Sequence, residues 1–387
     1  MSVAADAQLP LEGVRVLDLS RYAPGLFASR LLGDFGAEVV SVEAPKEEES
    51  DFPLYPASRA RTAGTNPLFR HRRSIVVDMR QTAGLHVVQD LIARSDVVLE
   101  GFRPGIADRI GVGFETSRRL NPAIVYCSLT GYGQHGEQAR RPGHDLNYVA
   151  ESGLLSHIAH GDEAPGIPSN FAADLAGGSL AAAFGISAAL HGARRTGTAQ
   201  YVDVSMVRSI MTMLSLLSGM QQVGNPDPAG GSGLLNGAAP FYRTYRTSDG
   251  KFIAVGAMEP KFYTELCTRL GRPDLLPMHL DVAAWPRIHE ELAAIFATGT
   301  RAHWSELLAA AAVTPVLTTT EAFERAHEIV TDTEPARMRL FPGPEPAERY
   351  SRHRGSDTLA ILRELGRGPD DVEALLRSGA VGVGTDD

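Results

Sequence analysis

Apolar positions cluster in short runs near the N-terminus. Val14-Arg15-Val16-Leu17-Asp18-Leu19 has strand length, and Ala23-Pro24-Gly25 leads into a helical stretch from Leu26 to Phe35, closed by Gly36. Val39-Val40-Ser41-Val42-Glu43 forms a second strand. Strand, helix and strand in that order predict a βαβ unit, hence a parallel, right-handed α/β layer. The alternation continues with a strand over Ser74 to Val77, a helix over about Ala83 to Ala93 and a strand over Val97 to Leu99. Ile124 to Ser128 is a further strand, ending near the turn Gly131-Tyr132-Gly133.

From Asp174 the pattern predicts a helix to about Arg194, and Tyr201 to Val204 a short strand. One long apolar helix is expected from Met206 to about Val223, with Met206, Met211, Met213 and Met220 mostly in its core face. Residues 224–240 are rich in Gly, Pro, Asn and Ala and predict a loop. Phe241 to Tyr245 and Phe252 to Val255, joined at Ser248-Asp249-Gly250, predict a hairpin. Helices follow within 260–312, then a short strand at Pro315-Val316-Leu317 and amphipathic helices to about Leu376. No internal repeat is present.

The chain has 387 residues, 43% hydrophobic and 21% charged, enough for two domains with their own cores. A net charge of −9 leaves no basic stripe for neutralising nucleic-acid phosphates. Local clusters such as Arg70-His71-Arg72-Arg73 suit solvated surface charge or a small polyphosphate. Cys127 and Cys267 match no zinc or redox spacing and read as buried, reduced side chains; no metal site is expected. The segment Leu175 to Ala193 carries no Asp, Glu, Lys or Arg, but its Ala, Gly and Ser content reads as a buried helix rather than a membrane span. The N-terminal residues have neither the basic nor the apolar region of a signal peptide, so a cytoplasmic protein is expected. The first βαβ turn has one glycine, Gly25, where a dinucleotide fingerprint requires three at fixed spacing, which argues against NAD.

Three residues carry candidate chemistry. His144, in Gly143-His144-Asp145, is a base that titrates near neutral pH. Asp174 is a second carboxylate base, and Glu259 a carboxylate that could orient the histidine. Moving a proton off and back onto the carbon beside a carbonyl needs that equipment. Each also has a structural reading: a loop histidine, an aspartate N-cap, and an acid ahead of Pro260 at a helix start.

Several motifs occur together in order along nearly the whole chain. They include Leu11 to Leu19, Gly33-Asp34-Phe35-Gly36-Ala37-Glu38-Val39-Val40, Glu100-Gly101-Phe102-Arg103-Pro104-Gly105, Gly131-Tyr132-Gly133 and Tyr201-Val202-Asp203-Val204. In this the chain resembles the class III CoA-transferase superfamily. Gly143 to Tyr148 and Gly256 to Tyr263 are similar to the α-methylacyl-CoA racemase branch.

The resemblance implies a Rossmann-like large domain, a smaller α+β domain and an interlocked homodimer. The expected division is 1–200 for the first part of the large domain, 201–240 for a linker helix and loop, 241–312 for the small domain and 313–387 for the return. It also implies an acyl-CoA substrate, with CoA part of that substrate and no separate cofactor. His144 and Asp174 would act on opposite faces of C2, while Glu259 would hydrogen-bond the histidine of the other subunit. Arg103 would meet the CoA phosphates, with Arg73 and Arg72 weaker candidates. Free amides near the Asp174 helix start, beside Gly177-Gly178, would stabilise an enolate oxygen.

The chain departs from the family pattern at Ser41, where relatives carry Lys or Arg, at Ala310 to Pro315, and at Pro346 to Tyr350. Arg70 or Arg73 is a candidate to compensate for Ser41. The expected activity is epimerisation of 2-methylacyl-CoA thioesters. The alternatives are CoA transfer through an acyl anhydride on Asp174, and a catalytically silent acyl-CoA binding protein.

Overall fold

The computed structural model describes residues 9–45, 66–159, 163–224, 229–328 and 353–384. The departure at Pro346 to Tyr350 lies outside them. The chain divides into two compact units, one formed by Met1–Ser152, Pro168–Met213 and Glu334–Asp387, the other by Gly153–Ile167 and Leu214–Thr333.

The first unit is built on β1 (Arg15–Asp18), β2 (Glu38–Glu43), β3 (Arg72–Val77), β4 (Val97–Glu100), β5 (Val125–Thr130) and β6 (Gln200–Ser205). These six are parallel in the order β3-β2-β1-β4-β5-β6. That is the order of a doubly wound nucleotide-binding sheet. A short C-terminal strand, Val381–Gly382, adds to β3 antiparallel. Helices cover the sheet, so its strands read as nearly unbroken apolar runs. Val97, Val98 and Leu99 have no exposed surface. Val98 shares a core with Ile75, Val87, Ile92, Ile124 and Leu362, which draws the helices Thr82–Ala93 and Thr358–Glu364 onto the sheet.

The strand order reverses between β1 and β4, and ligands of such sheets bind outside the carboxyl ends at that reversal. There Leu19 donates its N–H to the Leu99 carbonyl at 2.8 Å. The loop after β4 carries Arg103 and turns at Gly105, whose φ of 83° suits glycine.

Two helices differ from the sequence expectation. The one expected at Asp174 begins earlier, as a π-helix over Phe171–Leu180 running into an α-helix over Ala181–Thr196. Asp174 therefore lies inside the helix, and Asn170 occupies the N-cap. The long helix expected from Met206 is two, Met206–Met213 and Ser215–Gln222, interrupted at Leu214 where the chain passes from one unit to the other. Its methionines differ too: Met206 is buried, whereas Met211, Met213 and Met220 are exposed.

The second unit contains the expected hairpin, β7 (Tyr242–Arg246) and β8 (Phe252–Gly256), paired antiparallel. β9 (Val313–Pro315) pairs with β8 on its other edge. Residues 313–328 thus group with this unit rather than with the return to the first. Phe241, Tyr245, Tyr263, Trp285, Phe296 and Trp304 form its aromatic core.

Candidate active site

His144 is the N-cap of the helix Asp145–Glu151. Its backbone is extended, and its N–H donates to Asn147 Oδ1 at 3.0 Å, which fixes how the chain enters the helix. One turn on, Tyr148 donates its hydroxyl to the Gly143 carbonyl at 2.5 Å. Tyr132 meets the Tyr148 ring edge-on at 5.3 Å. Burial pushes the Tyr148 hydroxyl up to about 12, so it stays a protonated donor.

Glycine is required on both sides of that ring. A Cβ at Gly131 would stand 2.1 Å from it and one at Gly143 2.6 Å. Gly131→Ala is expected to destabilise the chain by about 1–3 kcal/mol through overpacking. A urea midpoint unchanged from wild type would show that Tyr148 moves aside freely.

Asp174 is half-buried, opposite this turn. Asn170 Nδ2 donates to its Oδ2 at 3.3 Å. Burial raises its proton affinity most; the Asn170 bond opposes that, the Asp145 charge adds to it and His144 opposes it. The charges of His144 and Asp174 therefore reach each other, and the two predicted bases sit in one unit.

Their link is Asp145, a buried carboxylate whose Oδ2 accepts from both Ala173 N and Asp174 N at 2.8 Å. This alters the expected enolate site, because those two amides are already engaged. Gly177 and Gly178 also serve packing: a Cβ at Gly177 would lie 3.0 Å from the Met206 carbonyl, and one at Gly178 3.2 Å from the Ala173 carbonyl. Ser179 Oγ donates to the Pro24 carbonyl at 2.7 Å, tying the π-helix to the first turn of the helix Ala23–Asp34.

Arg103 is exposed, and its charge reaches Tyr148. Arg72 is different. It is fully buried, and its guanidinium donates to Asp18 Oδ2 at 3.1 Å, Ser41 Oγ at 3.0 Å, Ser29 Oγ at 3.1 Å and the Leu26 carbonyl at 2.7 Å. It is a core cation rather than a surface phosphate ligand. Ser41, the departure in β2, is one of its acceptors. Arg73 is engaged by Glu38 at 2.9 Å and Glu364 at 2.8 Å. Arg70 is buried against Asp34 at 2.7 Å, so neither neighbour stands in for the missing strand cation. Glu259 belongs to the second unit, where it is the exposed N-cap of the helix Pro260–Arg269.

Glu100 was not singled out from the sequence, although it ends β4 just before the Arg103 loop. It is buried and accepts from Phe102 N at 2.6 Å. Burial pushes its carboxyl up to about 7 from an ordinary 4.5. A raised folded value means the stabilising protonated form is fully present below about 4.5 and lost as pH rises through about 7. The loss is about 3 kcal/mol across that window. Glu100→Gln should flatten the fall in the urea midpoint between acidic and alkaline buffer; an equal fall in both proteins would refute this.

Residues 11–336 match the model of CoA-transferase family III. The chain is 38% identical over 381 residues to the human α-methylacyl-CoA racemase, covering 95% of this chain and 96% of that one. It is 31% identical over 401 residues to the mouse succinyl-CoA:glutarate CoA-transferase, covering 97% and 91%. Its structure resembles that of a CAIB/BAIF family protein from Brucella suis, with a TM-score of 0.77, 25% identity and coverage of 93% and 100%. The doubly wound fold is thus shared with a solved CAIB/BAIF family structure. The chain belongs to CoA-transferase family III.

Proposed function

We propose that this protein inverts C2 of 2-methylacyl-CoA thioesters by two-base proton transfer. The observation that carries this reading is the pairing of His144 with Asp174, two bases of different type held in one unit by Asp145. The thioester acidifies C2. His144 takes the α-proton from one epimer, leaving an enolate, and protonated Asp174 returns a proton to the opposite face. The raised proton affinity of Asp174 suits it to that donor role. In the reverse direction the roles exchange, and proton and electron pair balance without a redox step. Similarity to the racemase adds weight, since the transferase relative is less alike over the same span.

Arg103 takes a CoA phosphate through its planar donor fork. A second copy of the chain covers the exposed apolar side chains Phe171, Phe184, Met211 and Met213 of the first unit. Its Glu259 then orients His144. The helix Phe171–Thr196 is long and apolar enough to cross a membrane, but it carries Asp174 and packs between other helices, which favours a core role.

The test uses one enantiopure 2-methylacyl-CoA in D2O with a carboxylic acid acceptor present. α-Deuterium and C2 configuration are followed by mass spectrometry and chiral analysis. Deuterium uptake with inversion is expected. CoA moving to the acceptor while the α-proton stays in place would make the protein a transferase with Asp174 as nucleophile. Binding without either reaction would make it a silent acyl-CoA binder.

A further inference from the structure

The first N–H groups of a helix have no partner within it. At the π-helix Phe171–Leu180 two of them, from Ala173 and Asp174, are taken by one carboxylate oxygen of a different helix. That oxygen belongs to Asp145, the residue bonded directly to His144. A neutral Asn or Ser side chain could accept these bonds as well. A charge makes them stronger, but burying it is costly. Asp145 is only 6% exposed, and its Oδ1 is buried without a hydrogen-bond partner among the described residues. Capping alone does not call for a carboxylate under those conditions.

We propose that Asp145 is the positioning residue for Asp174, clamping the Ala173 and Asp174 backbone so that the separation of the two bases is set through the His144–Asp145 peptide. This rests on the two-base reading above. Asp145 also acts on Asp174 through its charge, which strengthens the proton affinity that burial has already raised. That brings the carboxyl nearer the imidazole range, where each base can return the proton it is given. Elsewhere around the π-helix, Arg30 pairs with Asp34 at 3.6 Å on the helix Ala23–Asp34. Arg208 is held by Asp203 at 3.5 Å, and Arg194 and Arg195 lie in the last turn of Ala181–Thr196. Asp145 and His144 are the charges that bear on Asp174.

The experiment compares wild type, Asp145→Asn and Asp145→Ala in C2 inversion over a range of pH. Asp145→Asn keeps an acceptor and loses the charge. It should fold, lose roughly 10-fold in kcat with little change in KM, and move the acid limb of the profile to lower pH. Asp145→Ala loses the clamp as well, and roughly 10²-fold is expected for a misplaced base. A wild-type rate and an unshifted acid limb in Asp145→Asn would overturn the proposal. Isotope-edited infrared titration of Asp174, assigned by difference against Asp174→Asn, separates this from failure of the racemase reading. If wild type does not invert C2, that reading falls, yet a lower Asp174 titration in Asp145→Asn still supports the clamp. An unchanged titration overturns it.

Discussion

Asp174→Asn is expected to lower C2 inversion by roughly 10²–10⁴-fold, the range that a positioned general acid–base supplies. The replacement is nearly isosteric and can keep its contact with Asn170, so the loss should fall on chemistry rather than folding. Its signature is directional. With Asp174 disabled, His144 still removes and returns the proton on its own face. One epimer should therefore take up deuterium with retention of configuration, while the other should barely exchange. His144→Ala should give the mirror pattern, with retention for the opposite epimer. Chiral chromatography with mass spectrometry on each enantiopure substrate reads both. Equal residual exchange from the two epimers in either variant would show that one base serves both faces, which ends the two-base assignment.

The second large effect concerns stability. Arg72→Met should cost about 3–5 kcal/mol, the range for breaking a buried ion pair from one side. Asp18 and Arg72 are both fully buried, and the arginine has four acceptors. Burial lowers the Arg72 proton affinity, and the Asp18 charge opposes that. Removing the cation strands the carboxylate at the end of β1, although Ser20 N at 2.8 Å and Ser29 Oγ at 2.6 Å still donate to it. Adding Asp18→Asn should recover part of the loss, because the stranded charge then disappears. Urea denaturation of wild type, single and double variants measures both. A single-variant loss below about 1 kcal/mol would mean that water or a rearranged side chain replaces the guanidinium.

Several residues of the candidate site stand out as local sequence patterns. The Gly-His-Asp turn, Asp174 and the Arg103 loop are local patterns with chemically distinctive side chains. Glu100 was legible in principle, as an acid ending an apolar strand, but its raised proton affinity comes from burial that no local pattern reports. Arg72 misled for the same reason. It stands in a run of basic residues, and only the β2–β3 pairing, which sets it opposite Val39 and within hydrogen-bond reach of Ser41, turns it inward. Asp145 was seen as a neighbour of His144, while its partners are the amides of Ala173 and Asp174, far along the chain.

The sequence by itself determined the parallel α/β layer, the hairpin of the second unit and the family resemblance. Strand and helix periodicities are written in adjacent residues, and each apolar face needs a partner of matching period. Tertiary structure decided the π-helical start at Phe171, the break at Leu214, the assignment of β9 to the second unit and the antiparallel strand Val381–Gly382. It also decided which cations are buried and which carboxylate accepts from the Ala173 and Asp174 amides. Those outcomes depend on contacts between residues distant in the chain, where burial and charge are set by neighbours that local periodicity does not specify.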